Sequence, residues 1–491
     1  MQVLSDIFRL GAKRYGERTA VKLGHETLSY RRLDAESNRL AQGLVAAGVG
    51  PGDRVAIFAL NSPQYLVVTA AVAKCGAVLL PINFRYGANE LAYVIDDAAP
   101  GALFFGPQFG ELVADTKDRF AAAPRLIALS GPATSDWASY DDLIAGGSEK
   151  APPESKVDPQ GPAALMYTSG TTGAPKGVLY PHRSYLSTYQ ALIVEGDMVP
   201  GEVTLVCLPL FHQAGLHAMA LPTLMLGGKV VLTAGGFDPA EILELTARER
   251  VSLTMWVPTM LTMLSGQPEV AKHDLSALGK IWYGSSPISP TVLEASKAVF
   301  GAGFYQWYGQ TETGMNSVLR PEDHETRAAF TGREVFNAEL RIVDDSGREV
   351  GLGEVGEIVC SAASHGMIEY LNQPQATKET VRDGWIHTTD LARVEEGGYF
   401  TVVDRLRDLI ISGAENVYPK EIEDVIAAHP GVAEVAVFGV PDEVYGEAVC
   451  AAGALREGAG AAPDDIIGFC AERLAGYKKP KQVEFHAELP K

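Results

Sequence analysis

The sequence predicts an α/β protein with layered, largely parallel sheets, followed by smaller β-rich and α+β parts. Three observations carry this. Strand-like and helix-like patterns alternate from residue 27 to about 310, as in chains that stack helices on parallel strands. After about residue 330 short strands separated by turns dominate. Beyond the charged stretch Asp404–Gly413 one helix pattern, two apolar runs and a second helix pattern form a compact α+β part.

The elements follow in order. RVAIFAL (Arg54–Leu60) is a strand-like run. Asn61 and Ser62 can cap the next helix, Pro63 suits its first turn and Gly76 ends it. AVLLPI is the following strand, and the rhythm recurs in TLVCLPL, KVVLTA, SLTMWV, KIWYGS and GFYQWY. Ligands in such folds sit at the carboxyl ends of strands. ELRIVDDSG, VGEIVCS and GGYFTVVD make the β-rich unit. A helix over Pro419–Ala428, the runs EVAVFGV and AVCAAGAL, and a helix over Ile466–Leu474 complete the chain. DRLRD, short and charged, suits a hinge between defined states better than a floppy tether.

At 491 residues the chain has room for two to four structural units at roughly 150 residues each. A net charge of −20 argues against a nucleic-acid partner, which calls for a basic face. Five widely spaced cysteines have no metal or redox spacing, and a reducing cytoplasm is the expectation. The N-terminus has no signal-peptide pattern. The longest apolar run (Tyr65–Ile82) is broken by Lys74 and Gly76, so no transmembrane segment is expected. LSDIFRLGAKRY places Leu4, Ile7, Phe8 and Tyr15 near one helical face. Packing of that face is the first expectation, with peripheral membrane contact as the alternative.

The densest chemical signal is TSGTTGAPKG, residues 168–177. Thr168, Ser169, Thr171 and Thr172 surround Gly170 and Gly173, and Lys176 follows. Hydroxyls, exposed backbone N–H groups and one ammonium are what wrap a polyphosphate. The kinase-type P-loop needs Gly, four residues and then Gly-Lys-Ser/Thr opening a helix. Here Pro175 precedes Lys176, Gly177 follows it, and both flanks (PAALMY and VLY) look extended.

Three further motifs stand in order: YGQTE (Tyr308–Glu312), HTTD ending at Asp390, and DRLRDLIISGAENVYP (Asp404–Pro419). Together with TSGTTGAPKG they resemble the adenylate-forming superfamily of acyl- and aryl-CoA ligases, luciferases and peptide-synthetase adenylation domains. The resemblance runs through nearly the whole chain. It implies an N-terminal domain over 1–404, built of two α/β subdomains and a β-rich unit at about 330–404. A small mobile C-terminal domain over 405–491 would follow. Such enzymes join a carboxylate to the α-phosphate of ATP, release pyrophosphate and pass the acyl group to a thiol. ATP, Mg²⁺ and coenzyme A are the implied cosubstrates and cofactor.

By this resemblance Thr168, Ser169, Gly170, Thr171, Thr172, Gly173 and Lys176 cradle the β- and γ-phosphates. Glu312 holds Mg²⁺, and Thr311 touches the α-phosphate or the metal, which makes Lys176, Thr311 and Glu312 the catalytic set. Tyr308, with Gly309 and Gln310, stacks on adenine. Asp390 accepts hydrogen bonds from both ribose hydroxyls, and Arg405 also reaches the ribose. The small domain rotates about Arg407, where the family usually carries Lys or Asp. Ser412, Gly413 and Ala414 line the pantetheine tunnel, Ala414 replacing the family's usual second Gly. YKKPK (Tyr477–Lys481) fits the family's ending, whereas the sequence stops at Lys491, before the family's catalytic Gly-Lys pair. A missing tail is the expectation.

PLFHQAGLH (Pro209–His217) matches the family segment beside the acyl pocket. His212 stands near where peptide-synthetase domains place an amino-gripping Asp, which argues against an amino-acid substrate. Phe211 and His212 are expected on one pocket wall, with Trp282, Gly284 and Ser285 on the other and Trp256 near by. That lining suits an apolar acyl or aryl group. The expected activity is therefore an acid–CoA ligase acting on a fatty or aryl acid. The alternatives are a nucleotide- or acyl-adenylate-binding protein with impaired adenylation and a CoA-independent acyl-AMP ligase. A homodimer is compatible with the resemblance.

Overall fold

A computed structural model describes residues 1–491 except 153–156, 169–174, 287, 407, 413–414, 443–445, 457, 475, 477 and 490–491. Ser169, Gly170, Thr171, Thr172, Gly173, Arg407, Gly413, Ala414, Tyr477 and Lys491 thus lie outside the described residues. The chain divides into two compact units, Met1–Leu340 with Cys360–Ile386, and Arg341–Val359 with His387–Lys491.

The first unit carries the predicted alternation on two sheets. One runs, in spatial order, Glu369–Tyr370, Lys176–Pro181, Pro162–Thr168, Val78–Pro81, Arg54–Phe58, Ala102–Phe105, Arg125–Ala128 and Ala138–Ser139. It is parallel from Pro162–Thr168 onward and antiparallel at the edge bearing Lys176–Pro181. The other orders Gly332–Glu334, Gly314–Leu319, Gly303–Gln310, Lys280–Gly284, Leu253–Met255, Val203–Val206, Lys229–Leu232, Thr19–Leu23 and Glu26–Ser29. Its middle is parallel, with antiparallel hairpins at both ends. Ser62 caps helix Pro63–Cys75 by accepting from the Tyr65 N–H, and Gly76 closes it in the left-handed region at φ 70°. That helix is buried almost all round, which explains its nearly unbroken apolar sequence.

Strands Leu340–Val343, Val355–Ser361, Trp385–Val394 and Tyr399–Arg405, most of whose residues fall in the second unit, form a β-rich layer. A separate mixed sheet contains Ile410–Ser412, Glu415–Val417, Val432–Asp442, Gly446–Leu455 and Gln482–His486. Helices Pro419–Ala427 and Pro463–Ala471 bury Ile422, Ile426, Ile466 and Cys470 in its core.

The N-terminal helix Ser5–Tyr15 spends its apolar face on the interior. Leu4, Ile7 and Phe8 are buried, and the Leu4 N–H donates to His182 Nδ1 at 3.2 Å. The alternative of membrane docking through this face is corrected: the face is already covered. Among the described residues no helix is long and apolar enough to cross a membrane. All five cysteines are buried.

Three imidazoles, His182, His217 and His365, are buried in the first unit. Desolvation lowers their pKa values from 6.5 to about 4, about 3 and about 4. An unfolded chain protonates each near pH 6.5, whereas the folded chain resists until near pH 4. The unfolded state therefore binds more protons across that window, and stability falls as pH drops through it. The loss is about 1.4 kcal/mol per pH unit for each imidazole. The melting temperature is expected to fall steeply between pH 6.5 and 4, and His182→Gln to flatten the slope. A flat profile in differential scanning fluorimetry refutes this account.

Candidate active site

The loop at 168–177 is entered and left at the end of an antiparallel hairpin in which Thr168 pairs with Lys176. Both stems are held by helix Ala88–Ala98. Tyr93 Oη donates to the Pro175 carbonyl at 3.2 Å, and Tyr167 Oη donates to Asp97 Oδ2 at 2.5 Å. Asn372 Nδ2 donates to the Asp97 carbonyl and Oδ1 at 2.9 and 3.1 Å. A loop whose feet are fixed this way can present donors to a ligand without reorganising its base.

YGQTE forms the carboxyl end of strand Gly303–Gln310 and the turn into Gly314–Leu319. The Gln310 N–H donates to Thr313 Oγ1 at 3.1 Å and the Thr313 N–H donates to the Gln310 carbonyl at 3.2 Å. Gly309 is required here, because a Cβ would lie 1.9 Å from the Gly314 carbonyl oxygen. Tyr308, Thr311 and Glu312 are half-buried around this turn. Tyr370 Oη donates to Glu312 Oε1 at 2.8 Å. Lys176 Nζ lies 5.0 Å from the Tyr370 ring centroid. Thus Lys176 and Glu312, from different sheets, converge on one side chain that sequence reasoning passed over.

A phenol leaves the carboxylate charge available to a cation, and an acceptor-only carboxylate fits Mg²⁺. Among the described residues no three His, Cys, Asp or Glu side chains cluster as a metal cage.

In the second unit Asp390 is 4% exposed and forms an ion pair with Arg405, Oδ1 lying 3.3 Å from Nε. The preceding Thr389 sits at φ 61°, a strained conformation for a β-branched residue. It is pinned on both faces: its N–H donates to Glu357 Oε1 at 2.9 Å, and its carbonyl accepts from the Leu406 N–H at 2.7 Å. His387 Nδ1 lies 2.6 Å from Glu357 Oε2, and Thr388 Oγ1 donates to the Ile358 carbonyl at 2.7 Å. The HTTD segment of strand Trp385–Val394 is therefore held in one shape before any ligand arrives. Ser412 lies on strand Ile410–Ser412, opposite Glu415 and Gly446.

At the expected acyl pocket, Phe211 packs edge-on to Phe84 at 5.2 Å and to the His212 ring at 6.3 Å. His212 keeps exposed surface while surrounding protein lowers its pKa. Asn61 does not cap a helix. Its amide clamps the segment leading to Phe211, donating to the Leu208 carbonyl at 3.1 Å and accepting from the Leu210 N–H at 2.8 Å. The chain after Gln213 widens into a π-type turn over Ala214–Ala220, which spacing did not reveal.

Gly284 ends strand Lys280–Gly284, and Ser285, which follows it, takes φ 68°, a second strained position inside a predicted motif. The expectation that Trp282 forms a pocket wall gives way to a packing role. It is fully buried against Trp307 at 5.1 Å and covers Gly196, where a Cβ would lie 2.1 Å from its ring. Trp256 is likewise a core residue, packed on Phe300.

The AMP-binding enzyme family matches residues 8–371, and the AMP-binding enzyme C-terminal domain matches residues 421–491. The chain is 40% identical over 473 residues to a feruloyl-CoA synthase of an Amycolatopsis species, covering 96% of this chain and 92% of that protein. It is 38% identical over 481 residues to the fatty acid–[acyl-carrier-protein] ligase ScoC of Streptomyces coeruleorubidus, covering 96% and 90% respectively. The crystal structure of ATP-bound MatB from Rhodopseudomonas palustris superposes with a TM-score of 0.90 at 32% identity, covering 99% of this chain and 95% of that one.

Proposed function

The chain belongs to the AMP-binding enzyme family, and from that premise we propose that it is an ATP-dependent acid–CoA ligase for a hydrophobic carboxylate. The observation that carries the reading is the convergence of Lys176 and Glu312 on Tyr370 beside the loop at 168–177. A triphosphate site needs a cation for its anionic oxygens and a carboxylate for the metal that bridges them, close together. Feruloyl-CoA synthase and other acid–CoA ligases among the relatives support the choice of reaction.

In this reading the loop and Lys176 neutralise the β- and γ-phosphates, and Glu312 with Thr311 would hold Mg²⁺, which supplies charge stabilisation there. Tyr308, Gly309 and Gln310 frame adenine, and Asp390 and Arg405 hold ribose. A substrate carboxylate oxygen attacks the α-phosphorus, the bond to the bridging oxygen breaks, and pyrophosphate leaves. The CoA thiolate then attacks the acyl carbonyl, a thioester forms and AMP departs. Both steps call for positioning and charge neutralisation more than for a strong base. The domain boundary at 404/405, rotation about Arg407 and a tunnel at Ser412–Ala414 belong to the same proposal, as does a cytoplasmic location.

The aromatic surface of Phe84, Phe211 and His212 supports an apolar tail, alkyl or aryl. A carrier-protein thiol is the second reading for the acceptor, favoured by the 38% identity to ScoC. The test is an acid panel from acetate to long-chain and aryl acids with ATP and Mg²⁺, read as pyrophosphate and AMP release with and without CoA. CoA-dependent AMP formation with hydrophobic acids is the expected result. Release of pyrophosphate without CoA-dependent AMP moves the acceptor to a carrier protein. Silence across the panel refutes both.

A further inference from the structure

Tyr370 belongs to none of the motifs that point to nucleotide chemistry, yet it touches two of the groups those motifs supply. Its hydroxyl donates to Glu312 Oε1 at 2.8 Å, and its ring lies 5.0 Å from Lys176 Nζ. We propose that Tyr370 is a positioning residue that sets the metal-binding carboxylate and the phosphate-binding ammonium before nucleotide binds. This rests on Glu312 as the Mg²⁺ ligand and Lys176 as the phosphate cation.

The side chain is suited to the task. A phenol orients the carboxylate with one neutral hydrogen bond, so the negative charge that attracts the metal is kept. An Arg or Lys in its place would neutralise that charge and oppose the metal. The π face attracts an ammonium without pairing it to an anion, so the Lys176 charge also stays available for phosphate. Direct pairing of Lys176 with Glu312 would cancel both charges, and the ring gives each a separate neutral partner.

The backbone explains why the tyrosine can hold this place. Tyr370 pairs with Val178 and Glu369 with Leu179, on the strand that Lys176 opens. The Leu371 N–H donates to the Gly177 carbonyl at 2.7 Å, and the Tyr370 N–H donates to Thr377 Oγ1 at 3.0 Å. On the other side the Met367 N–H donates to the Glu312 carbonyl at 2.9 Å. Residues 367–371 are thus stitched to both the loop's outgoing strand and the YGQTE turn. Tyr370 is 7% exposed, so its rotamer is fixed by packing.

Three variants test this: Tyr370→Phe, Tyr370→Leu and Glu312→Gln. Each is read by calorimetric titration of ATP with Mg²⁺ or with EDTA, and by the Mg²⁺ dependence of ATP–pyrophosphate exchange. Tyr370→Phe keeps the ring and loses only the hydroxyl. Its half-saturating Mg²⁺ is expected to rise about tenfold, with unchanged ATP affinity in EDTA and unchanged KM for the acid. Tyr370→Leu should in addition weaken ATP binding in EDTA about threefold, through loss of the π face. A uniform loss in every readout, or a Tyr370→Phe profile matching wild type while Glu312→Gln raises the Mg²⁺ requirement, overturns the proposal and leaves the Glu312 assignment standing. An unchanged Mg²⁺ requirement in Glu312→Gln overturns that assignment and the proposal with it.

Discussion

Lys176→Ala is expected to lower kcat/KM for ATP in pyrophosphate exchange by about 10²–10³-fold. The same variant should convert presynthesised acyl-AMP and CoA to thioester at close to the wild-type rate. The asymmetry follows from what each half-reaction contains. The first develops charge on a departing pyrophosphate, and a preorganised ammonium on those oxygens contributes about 3–4 kcal/mol in the transition state. The second has no β- or γ-phosphate for Lys176 to meet. Folding should be little changed, because the described neighbour of the ammonium is the Tyr370 ring rather than a buried carboxylate. Equal losses in the two half-reactions would place Lys176 elsewhere in the mechanism, at the acyl-phosphate or in the domain movement.

The role proposed for Lys176 starts from a local signal. Hydroxyls, glycines and a lysine stand within ten residues, and the flanks, read as extended, are the two strands of a hairpin. The alternation of strands and helices likewise announced parallel sheets. It did not say that the strands sort into two sheets, because sorting depends on which faces meet. Tyr370 was illegible for the same reason. Its partners Lys176 and Glu312 are brought to it by a two-residue strand pairing that no spacing records. Trp282 misled because a motif that ends at a pocket begins in the core: along strand Lys280–Gly284 the large ring points inward, and only Gly284 and Ser285 reach the strand's end. Asn61 shows the converse. A good capping residue was taken up by the Leu208–Leu210 backbone, a partner far away in sequence, and Ser62 capped instead. Asp97 and Glu357, which brace the loop and the HTTD segment, carry no signal of their own, since an isolated acid in a helix or strand is ordinarily solvated.

Asp390→Asn is expected to cost about 10²–10³-fold in kcat/KM for ATP while leaving the melting temperature nearly unchanged. The substitution preserves shape. The HTTD segment is held by bonds from Glu357, Ile358 and Leu406 to Thr388 and Thr389, so the amide should occupy the same place. What changes is charge. In the proposed role the buried carboxylate would accept from two ribose hydroxyls, each bond contributing about 1.5–3 kcal/mol, whereas an amide has one acceptor oxygen and would direct an N–H₂ donor at the second hydroxyl. The ion pair with Arg405 adds little to stability, because the guanidinium side is 58% exposed. The decisive comparison uses 2′-deoxy-ATP. Wild type should lose about tenfold or more with that nucleotide, and the additional penalty of Asp390→Asn should shrink to about tenfold, because one of its two bonds is already gone. An identical penalty with both nucleotides would show that Asp390 acts on something other than the ribose. The strained Thr389 would then have to be explained by the Arg405 pairing alone, a weak return for holding a β-branched residue at φ 61°.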